Sequence, residues 1–496
     1  MKEREAKLEA PHGFELPELG GDDDGFVAEP LPPRRLRTTY YDTADLRLAR
    51  WGASLRWRPG EGWTVKLPEG QDGVLLVRAE HVFPGDGRRP PTEALSLVRP
   101  FVRTAQLSPS VRMRTLRRPV ELRDPGGSRL AEVVDDEVQV VDGRRIVARF
   151  RELEVELDEA ADVGLLGKVV DRLVGAGAVA AEPTPKYLRA LGGRGRALGP
   201  EVVEPEVDAG ASVEALLRHD LAAGTLRLFR HEAGVRTGED PEAVHQARVA
   251  TRRIRSTLRT FSKLLDTGWT DRLRDDLKWL ADLLGEVRDT DVLLERFSGH
   301  LNALPADDAK AGRRLLARLG EQRDHARRRL LGGMAQEKYA VLLDDLVAAA
   351  AAPALLPGAD RPAAEVMPPL VVKPWKKLRK AVRDAGDDPA DDQLHQIRIR
   401  AKRARYAAEA VEPAIGKPAK DFAVAVADLQ SVLGDHHDAV VGEAWLRQAA
   451  ASARRDVALV AGLLIAAERA SAAASRDRWR SVWKAAERKQ LRAWLP

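Results

Sequence analysis

Hydrophobic and polar positions alternate in short runs through residues 1–190: SLRWR, WTVKL, LLVRAEHVF, AEVVDDEVQVV and FRELEVEL, with Gly, Pro and Asp clusters between them. A period of two broken by turn formers predicts β-strands joined by turns. One helix is expected near Gly164 to Gly175, and LGGRGRALGPEVVEPEVD (Leu191 to Asp208) has linker composition. From about Ala209 the apolar spacing changes to three and four, and Ala, Leu and Arg dominate, which predicts long helices. These are interrupted near Leu301–Ala309 and at AAPALLPGADRPAAEVMPP (Ala351 to Pro369). The pattern divides the chain into a β domain over 1–195, a linker over 196–207 and a helical domain over 208–496.

The helical part repeats itself. VHQARVATRRIRSTL from Val244 parallels LHQIRIRAKRARYAA from Leu394, an offset of 150. LGEVRDTDVLL from Leu284 parallels LGDHHDAVVGE from Leu433, an offset of 149. Two matched blocks in one order argue for internal duplication, with repeats over about 208–350 and 370–496.

At 496 residues, two or three domains are expected. Cysteine is absent, which excludes disulfides and thiolate metal sites and suits a reducing compartment. The net charge of +5 leans mildly toward an anionic partner, because 81 basic residues nearly balance 76 acidic ones. Charges from residue 2 onward leave no apolar signal region. The longest apolar run, Val457 to Ala467, is far short of the roughly 20 residues of a membrane span. A cytoplasmic protein without membrane attachment is expected, with monomer and homodimer both open.

Sorting the strands by parity shows where the charges fall. In MKEREAKLEA, Glu3, Glu5 and Lys7 share a face; elsewhere Arg56 with Arg58, Arg78 with Glu80, and Arg112 with Arg114 do so. Lys66 stands opposite Val65 and Leu67, and Glu152, Glu154 and Glu156 oppose Leu153, Val155 and Leu157. A wet sheet face explains such alternation. It does not explain the sorting of signs, with acids on the first and last strands and cations between. A barrel closed on its charged faces does. Such a lining suits a polyphosphate held by Arg and Lys, with a hard divalent cation on the carboxylates. Mg²⁺ or Mn²⁺ fits an all-oxygen site, and zinc is disfavoured without Cys or a His cluster.

EREAK, followed by YYDTADLRLARWGASLRWR (Tyr40 to Arg58), WTVKLP, VRAEHVF, VVDDEV, FRELEVEL and PKYLRAL (Pro185 to Leu191), resembles the CYTH superfamily of triphosphate tunnel metalloenzymes over about residues 1–195. The resemblance implies an eight-stranded antiparallel tunnel that hydrolyses triphosphates with divalent metal. It implies Glu3, Glu5, Glu152 and Glu154 as metal ligands, joined by Asp135 as an acidic tunnel residue at the metal, with Asp136 beside it offering a second register. Arg56, Arg58, Lys66, Arg114 and Lys186 then contact phosphate, joined by Lys7, Arg78 and Arg112; RMRTLRR offers several registers. His12 and His81 read as surface or structural groups rather than bases.

On the helices, His245, Arg248, Arg252 and Arg255 fall at 0, 3, 7 and 10, on one stripe, and His395, Arg398, Lys402 and Arg405 repeat the design. A solvated basic face is the bland alternative, which the duplication weakens. These helices and the LGxxxD segments resemble the CHAD domain over roughly 208–496. That resemblance implies two four-helix halves with pseudo-twofold symmetry that bind inorganic polyphosphate through His, Arg and Lys. Arg253, Arg288 and His437 join the expected set, with Asp289 and Asp438 orienting basic side chains or capping helices. Arg218, Arg227, Arg230, Lys373, Lys376, Lys377 and Arg379 extend the basic surface with less support.

The expected architecture is thus multi-domain α+β: an antiparallel β-barrel tunnel, then an all-α domain of two bundle halves. The leading functional expectation is metal-dependent hydrolysis of inorganic triphosphate or polyphosphate, with the helical domain binding the polymer. Two alternatives stand beside it: a non-catalytic polyphosphate-targeting protein, or a tunnel for an organic triphosphate (thiamine triphosphate or ATP, including adenylate cyclase). Basic stripes without interleaved aromatics argue against nucleic acid.

Overall fold

The computed structural model describes residues 2–20, 25–72, 75–158, 161–180 and 184–496. The chain forms two compact units, Met1–Glu201 and Val202–Pro496.

The first unit contains ten strands: β1 (Lys2–Glu9), β2 (Val27–Pro30), β3 (Arg34–Asp42), β4 (Ser54–Arg58), β5 (Gly62–Asp72), β6 (Leu75–Phe83), β7 (Ser108–Arg123), β8 (Arg129–Asp142), β9 (Arg145–Leu157) and β10 (Val179–Ala180). Helices α1 (Arg47–Arg50), α2 (Thr92–Val102), α3 (Val163–Gly175), α4 (Lys186–Ala190) and α5 (Gly193–Arg196) accompany them. Eight strands run antiparallel in the order β1-β6-β5-β4-β3-β7-β8-β9, and β9 pairs back onto β1 from Arg4↔Leu157 to Glu9↔Glu152. That last ladder closes the sheet into a barrel and removes its edges. The tight β4–β5 connection depends on Gly62. Its φ is +88°, and a Cβ there would sit 2.4 Å from the Phe83 carbonyl oxygen.

The outward residues of β1, β8 and β9 (Leu8, Val133, Leu153, Val155) pack under Leu166, Val169 and Leu173 of α3. This alternation is the one read from ELEVEL: leucine and valine go to the outer core, glutamate to the inside. At one end the inner face itself turns apolar, where Tyr40, Val111, Met113, Val138, Val140 and Tyr187 form a plug.

The second unit is helical throughout: α6 (Val213–Thr237), α7 (Pro241–Thr260), α8 (Thr267–Leu301), α9 (Ala306–Met334), α10 (Glu337–Ala351), α11 (Ala363–Val366), α12 (Pro368–Asp384), α13 (Asp391–Glu409), α14 (Glu412–Ile415), α15 (Lys417–Ala450) and α16 (Arg455–Ala486). Side-chain caps set the starts of α6, α7 and α8. Ser212 accepts the Ala215 N–H (3.2 Å), Asp240 that of Glu242 (2.8 Å) and Asp266 that of Trp269 (2.7 Å). Helices α8, α9, α15 and α16 share a core around Phe297, Leu319, Leu446, Val460 and Leu464. By length and composition α16 is apolar enough to cross a membrane; in this fold it packs on α15 and α9.

Leu153 is fully buried where the barrel meets α3. Leu153→Ala should destabilise the first unit by about 2–5 kcal/mol in denaturant unfolding. A loss under about 1 kcal/mol would contradict this packing.

Candidate functional site

Directly opposed residues share a face of the sheet, so the ladder registers decide which charges turn inward. Lys7 lies opposite Glu154, and Glu5 opposite Glu156, across the closing ladder. Lys66 lies opposite both Ser54 and Glu80, and Arg56 opposite Tyr40. Arg117 lies opposite Asp136, which in turn lies opposite Glu152. All of these but Glu5, Asp136 and Glu152 line a cavity of about 210 Å³, which Arg58, Arg78 and Lys186 also line. Strand β4, with Arg56 and Arg58, stands halfway round the ring from β9, with Glu154 and Glu156.

Among the described residues, the buried charges of the tunnel are set against one another. Arg78 bonds to Glu5, and Lys7 bonds to Glu154 while lying 3.5 Å from Glu5. Arg117 grips Asp136 with two hydrogen bonds (3.0 and 2.7 Å) and reaches Glu154 at 3.2 Å. Lys186 pairs with Asp136, with Glu152 at 3.1 Å and with Glu154 at 3.3 Å. Lys66 pairs with Glu80 at 2.8 Å, and Arg58 donates to Thr38 (2.9 Å) and Glu61 (3.1 Å). Burial alone would raise the Glu154 carboxyl, but Lys186, Lys7 and Arg117 outweigh it and hold it well below the usual range. For Glu5, Lys7 and Arg78 outweigh burial likewise.

The neighbour of Lys186 fixes its position. The Tyr187 ring stacks on Tyr40 (4.9 Å between centroids, 11°), and its hydroxyl donates to Asp42 (3.0 Å). Asp42 also accepts the backbone N–H groups of Thr43, Leu48 and Ala49 (2.6, 2.9 and 3.0 Å). The YYDTADLRLAR and PKYLRAL segments are therefore one device for seating α4.

Three expected residues point elsewhere. Arg112 and Arg114 are exposed on the outside of β7, and Arg117 takes the inward place. The inner parity of β7 carries Val111 and Met113 because that stretch builds the apolar plug, so polarity there marks the outer face. Asp135 also faces outward, clamped by Arg151 through two 2.7 Å bonds and by Arg118 at 3.4 Å; Asp136 is the inward acid. The side chain of Glu3 lies outside the described residues. His12 is exposed, and His81 sits opposite Val65 on the outer face. Glu156, Glu80, Tyr40 and Tyr187 were not singled out from sequence, although the ELEVEL parity already placed Glu156 with Glu154.

Glu5, Glu154 and Glu156 bring ligand oxygens within 4.8 Å of one another. The donor set fits a hard divalent cation, being all carboxylate, with Glu5 and Glu154 held in the charged form.

In the helical unit, α7 and α13 contribute His245, Arg248, Arg252 and His395, Arg398, Lys402 to one cavity of about 480 Å³. Helices α8 and α15 add Arg288, Asp289, His437 and Asp438. Arg248 pairs with Asp289 at 2.7 Å and Arg398 with Asp438 at 3.7 Å, so each aspartate orients an arginine. The Nε atoms of Arg252 and Arg398 and the Nδ1 of His395 are buried without a partner. Five Arg and Lys against two Asp leave this cavity short of negative charge. Burial, reinforced by Arg398, His395 and Lys402, pushes His437 down to about 4. Arg253 and Arg405 turn away to Glu409 (3.0 and 2.6 Å), and Arg255 lies beyond the cavity in the field of Asp282. Arg218, Arg227, Arg230 and Lys376 do not line it, Arg379 pairs with Glu487 (3.2 Å), and Lys373 and Lys377 line a different pocket.

A CYTH-domain model matches residues 1–169 and a CHAD-domain model residues 219–447. The chain belongs to the CYTH–CHAD family. Two Mycobacterium tuberculosis proteins, Uncharacterized protein Rv2226 (strain H37Rv) and Uncharacterized protein MT2285 (strain CDC 1551), are each 33% identical to it over 460 residues, spanning 86% of this chain and 84% of theirs. Among solved structures, it is similar to PptA from Streptomyces chartreusis, with 26% identity and a TM-score of 0.47 over 55% of this chain and 100% of that one. It is also similar to the CHAD domain from the plant Ricinus communis, with 29% identity and a TM-score of 0.46 over 57% and 96%. The CYTH domain is a triphosphate tunnel fold, and its family comprises metal-dependent triphosphatases and related tunnel enzymes.

Burial, reinforced by Arg398, Arg252 and Arg248, pushes the CHAD residue Lys402 down to about 7 from the ordinary 10.5. Its proton therefore costs the folded state stability. That penalty is complete below pH 7 and fades as pH rises toward the unfolded value. Lys402→Met should raise the thermal midpoint more at about pH 6 than at about pH 9. An equal gain at both, or none, contradicts the assignment.

Proposed function

We propose that the CYTH tunnel hydrolyses the terminal phosphoryl group of inorganic triphosphate or polyphosphate, and that the CHAD domain binds inorganic polyphosphate. The carrying observation is the cavity in which Glu154 and Glu156, clustered with Glu5, face Arg56 and Arg58 across the barrel. Glu5, Glu154 and Glu156 would hold Mg²⁺ or Mn²⁺, which supplies Lewis-acid neutralisation of the phosphate oxygens. Arg56, Arg58, Lys66 and Arg117 grip the remaining oxygens and stabilise charge that develops on the bridging oxygen as the terminal group leaves. Lys7, Arg78 and Lys186 hold the carboxylates in the charged form, and the ring of strands excludes bulk water. No side chain of the lining is needed as a covalent nucleophile; the attacking group is water.

In the CHAD cavity, Arg248, Arg252, Arg288, Arg398 and Lys402 neutralise successive phosphates. The Nε atoms of Arg252 and Arg398 have no hydrogen-bond partner among the described residues, which leaves both guanidinium groups short of acceptors. Localisation in the cytoplasm fits this substrate class.

Phosphate release from tripolyphosphate by the full-length chain with Mg²⁺ or Mn²⁺ tests the tunnel. Glu154→Gln should lower kcat at least about a hundredfold, whereas Arg114→Ala on the outer face should stay within about twofold of the parent. Full turnover in Glu154→Gln refutes the proposed chemistry. Arg252→Ala with Arg398→Ala should weaken long-chain polyphosphate binding at least about tenfold, and unchanged affinity would refute the CHAD assignment.

A further inference from the structure

Outside the central CHAD cavity, the internal repeat produces two smaller pockets that are counterparts of each other. The first is lined by Asp220, Gly224 and Arg227 of α6, Arg253 of α7 and Glu409 of α13. Shifting Asp220, Gly224, Arg227 and Arg253 forward by the repeat offset of 150 gives Leu370, Pro374, Lys377 and Arg403; shifting Glu409 back gives Arg259. All five counterparts line the second pocket.

The two have diverged in charge. In the first, Glu409 pairs with Arg253 at 3.0 Å and Asp220 accepts a hydrogen bond from Thr257 at 3.1 Å, in a space of about 60 Å³. Glu409 thus supplies that pocket with its own anion, while burial pushes the Asp220 carboxyl up to about 7. In the second, Arg259 stands where Glu409 would, and Leu370 where Asp220 would. Lys263, Lys373 and Arg400 join Arg259, Lys377 and Arg403 around about 210 Å³, with no carboxylate in the lining. Among the described residues, none of these six cations forms an ion pair or a side-chain hydrogen bond with protein. Pro369, Leu370 and Pro374 make an apolar wall beside them. Burial, then the like charges of Arg403, Arg274 and Arg255, pushes Arg259 down to about 10.

We propose that this α7–α12–α13 pocket is a second anion site of the helical domain, taking an oligophosphate group in the place that Glu409 and Asp220 fill in its twin. Arg259 and Arg403 present forked donors suited to phosphate oxygens, and Lys373 and Lys377 add mobile charge at the rim. The site does not depend on the central cavity being occupied. Its ligand chemistry, two or three linked phosphates, occurs both as free oligophosphate and as the tail of a nucleotide.

The chain has no cysteine, so Ser262→Cys places a single trifluoromethyl label at the pocket wall for ¹⁹F NMR on the full-length protein. Titration with tripolyphosphate, without metal, should give a saturable shift with Kd below about 1 mM. Arg259→Glu with Leu370→Asp, which rebuilds the acids of the twin, should weaken it at least about tenfold. Arg403→Gln, a milder change, should weaken it in the same direction and serves if the double variant does not fold. Arg252→Ala with Arg398→Ala should leave the shift in place. An equal response to ATP assigns the phosphate tail whatever its carrier, and a response to tripolyphosphate alone assigns the free oligophosphate. The proposal is overturned by no saturable shift, by one unaffected in both Arg259→Glu/Leu370→Asp and Arg403→Gln, or by one lost in Arg252→Ala/Arg398→Ala.

Discussion

The pairing of β9 with β1 is the constraint on which the tunnel rests. Closing the sheet turns Glu5, Lys7, Glu152 and Glu154 away from water, and an isolated buried charge costs several kcal/mol. The barrel tolerates them because the ladder sets acid against base: Lys7 on Glu154, Arg78 on Glu5, Arg117 and Lys186 on Asp136. None of these groups is optional once the ring is closed. Removing one partner leaves the other buried and uncompensated, so the network is coupled and its members act as a unit.

The same pairing bears on the proposed chemistry. A triphosphate alone would compete with carboxylates for the cations, and a divalent ion alone would compete with cations for the carboxylates. Arriving together, they exchange both sets of partners with little change in total charge. A self-neutralised interior is therefore compatible with a strongly charged ligand, provided the ligand is a metal–phosphate pair.

The strands, the helical period and the repeat were legible in the alternation of residues, because each depends on local spacing. So was the inward set on β1, β4, β5 and β9, where apolar outer residues mark the parity. β7 was misleading for a physical reason. Its inner face is apolar over Val111 and Met113, where the plug of Tyr40 and Tyr187 fills the barrel, and polar only from Arg117 onward. Parity read from polarity alone thus selects Arg112 and Arg114. The choice between Asp135 and Asp136 likewise hangs on which neighbour each meets across β9, and adjacent acids give no local clue. On the helices, offset 10 keeps to the stripe but lies about 15 Å along the axis from offset 0, so Arg255 and Arg405 fall past the end of the cavity that their earlier partners line.

Charge compensation orders these sites by what each still lacks. The α6–α7–α13 pocket sets Glu409 against Arg253 and holds Asp220 by Thr257. The tunnel is internally paired, so a ligand that supplies both signs is the one that can replace its partners without leaving a charge uncompensated. The central CHAD cavity sets five Arg and Lys against two Asp, and burial with neighbouring cations drives Lys402 down to about 7. A bound anion would reverse that shift, because it restores the charged form of Lys402 and so takes up protons on binding. The duplicated fold supplies its own control. At equivalent places in the repeat, Glu409 gives a small pocket holding an ion pair with Arg253, and Arg259 gives a larger one lined by cations alone. In this domain the number of acids left in a basic pocket, more than the number of bases, separates structural ion pairs from sites that await a ligand.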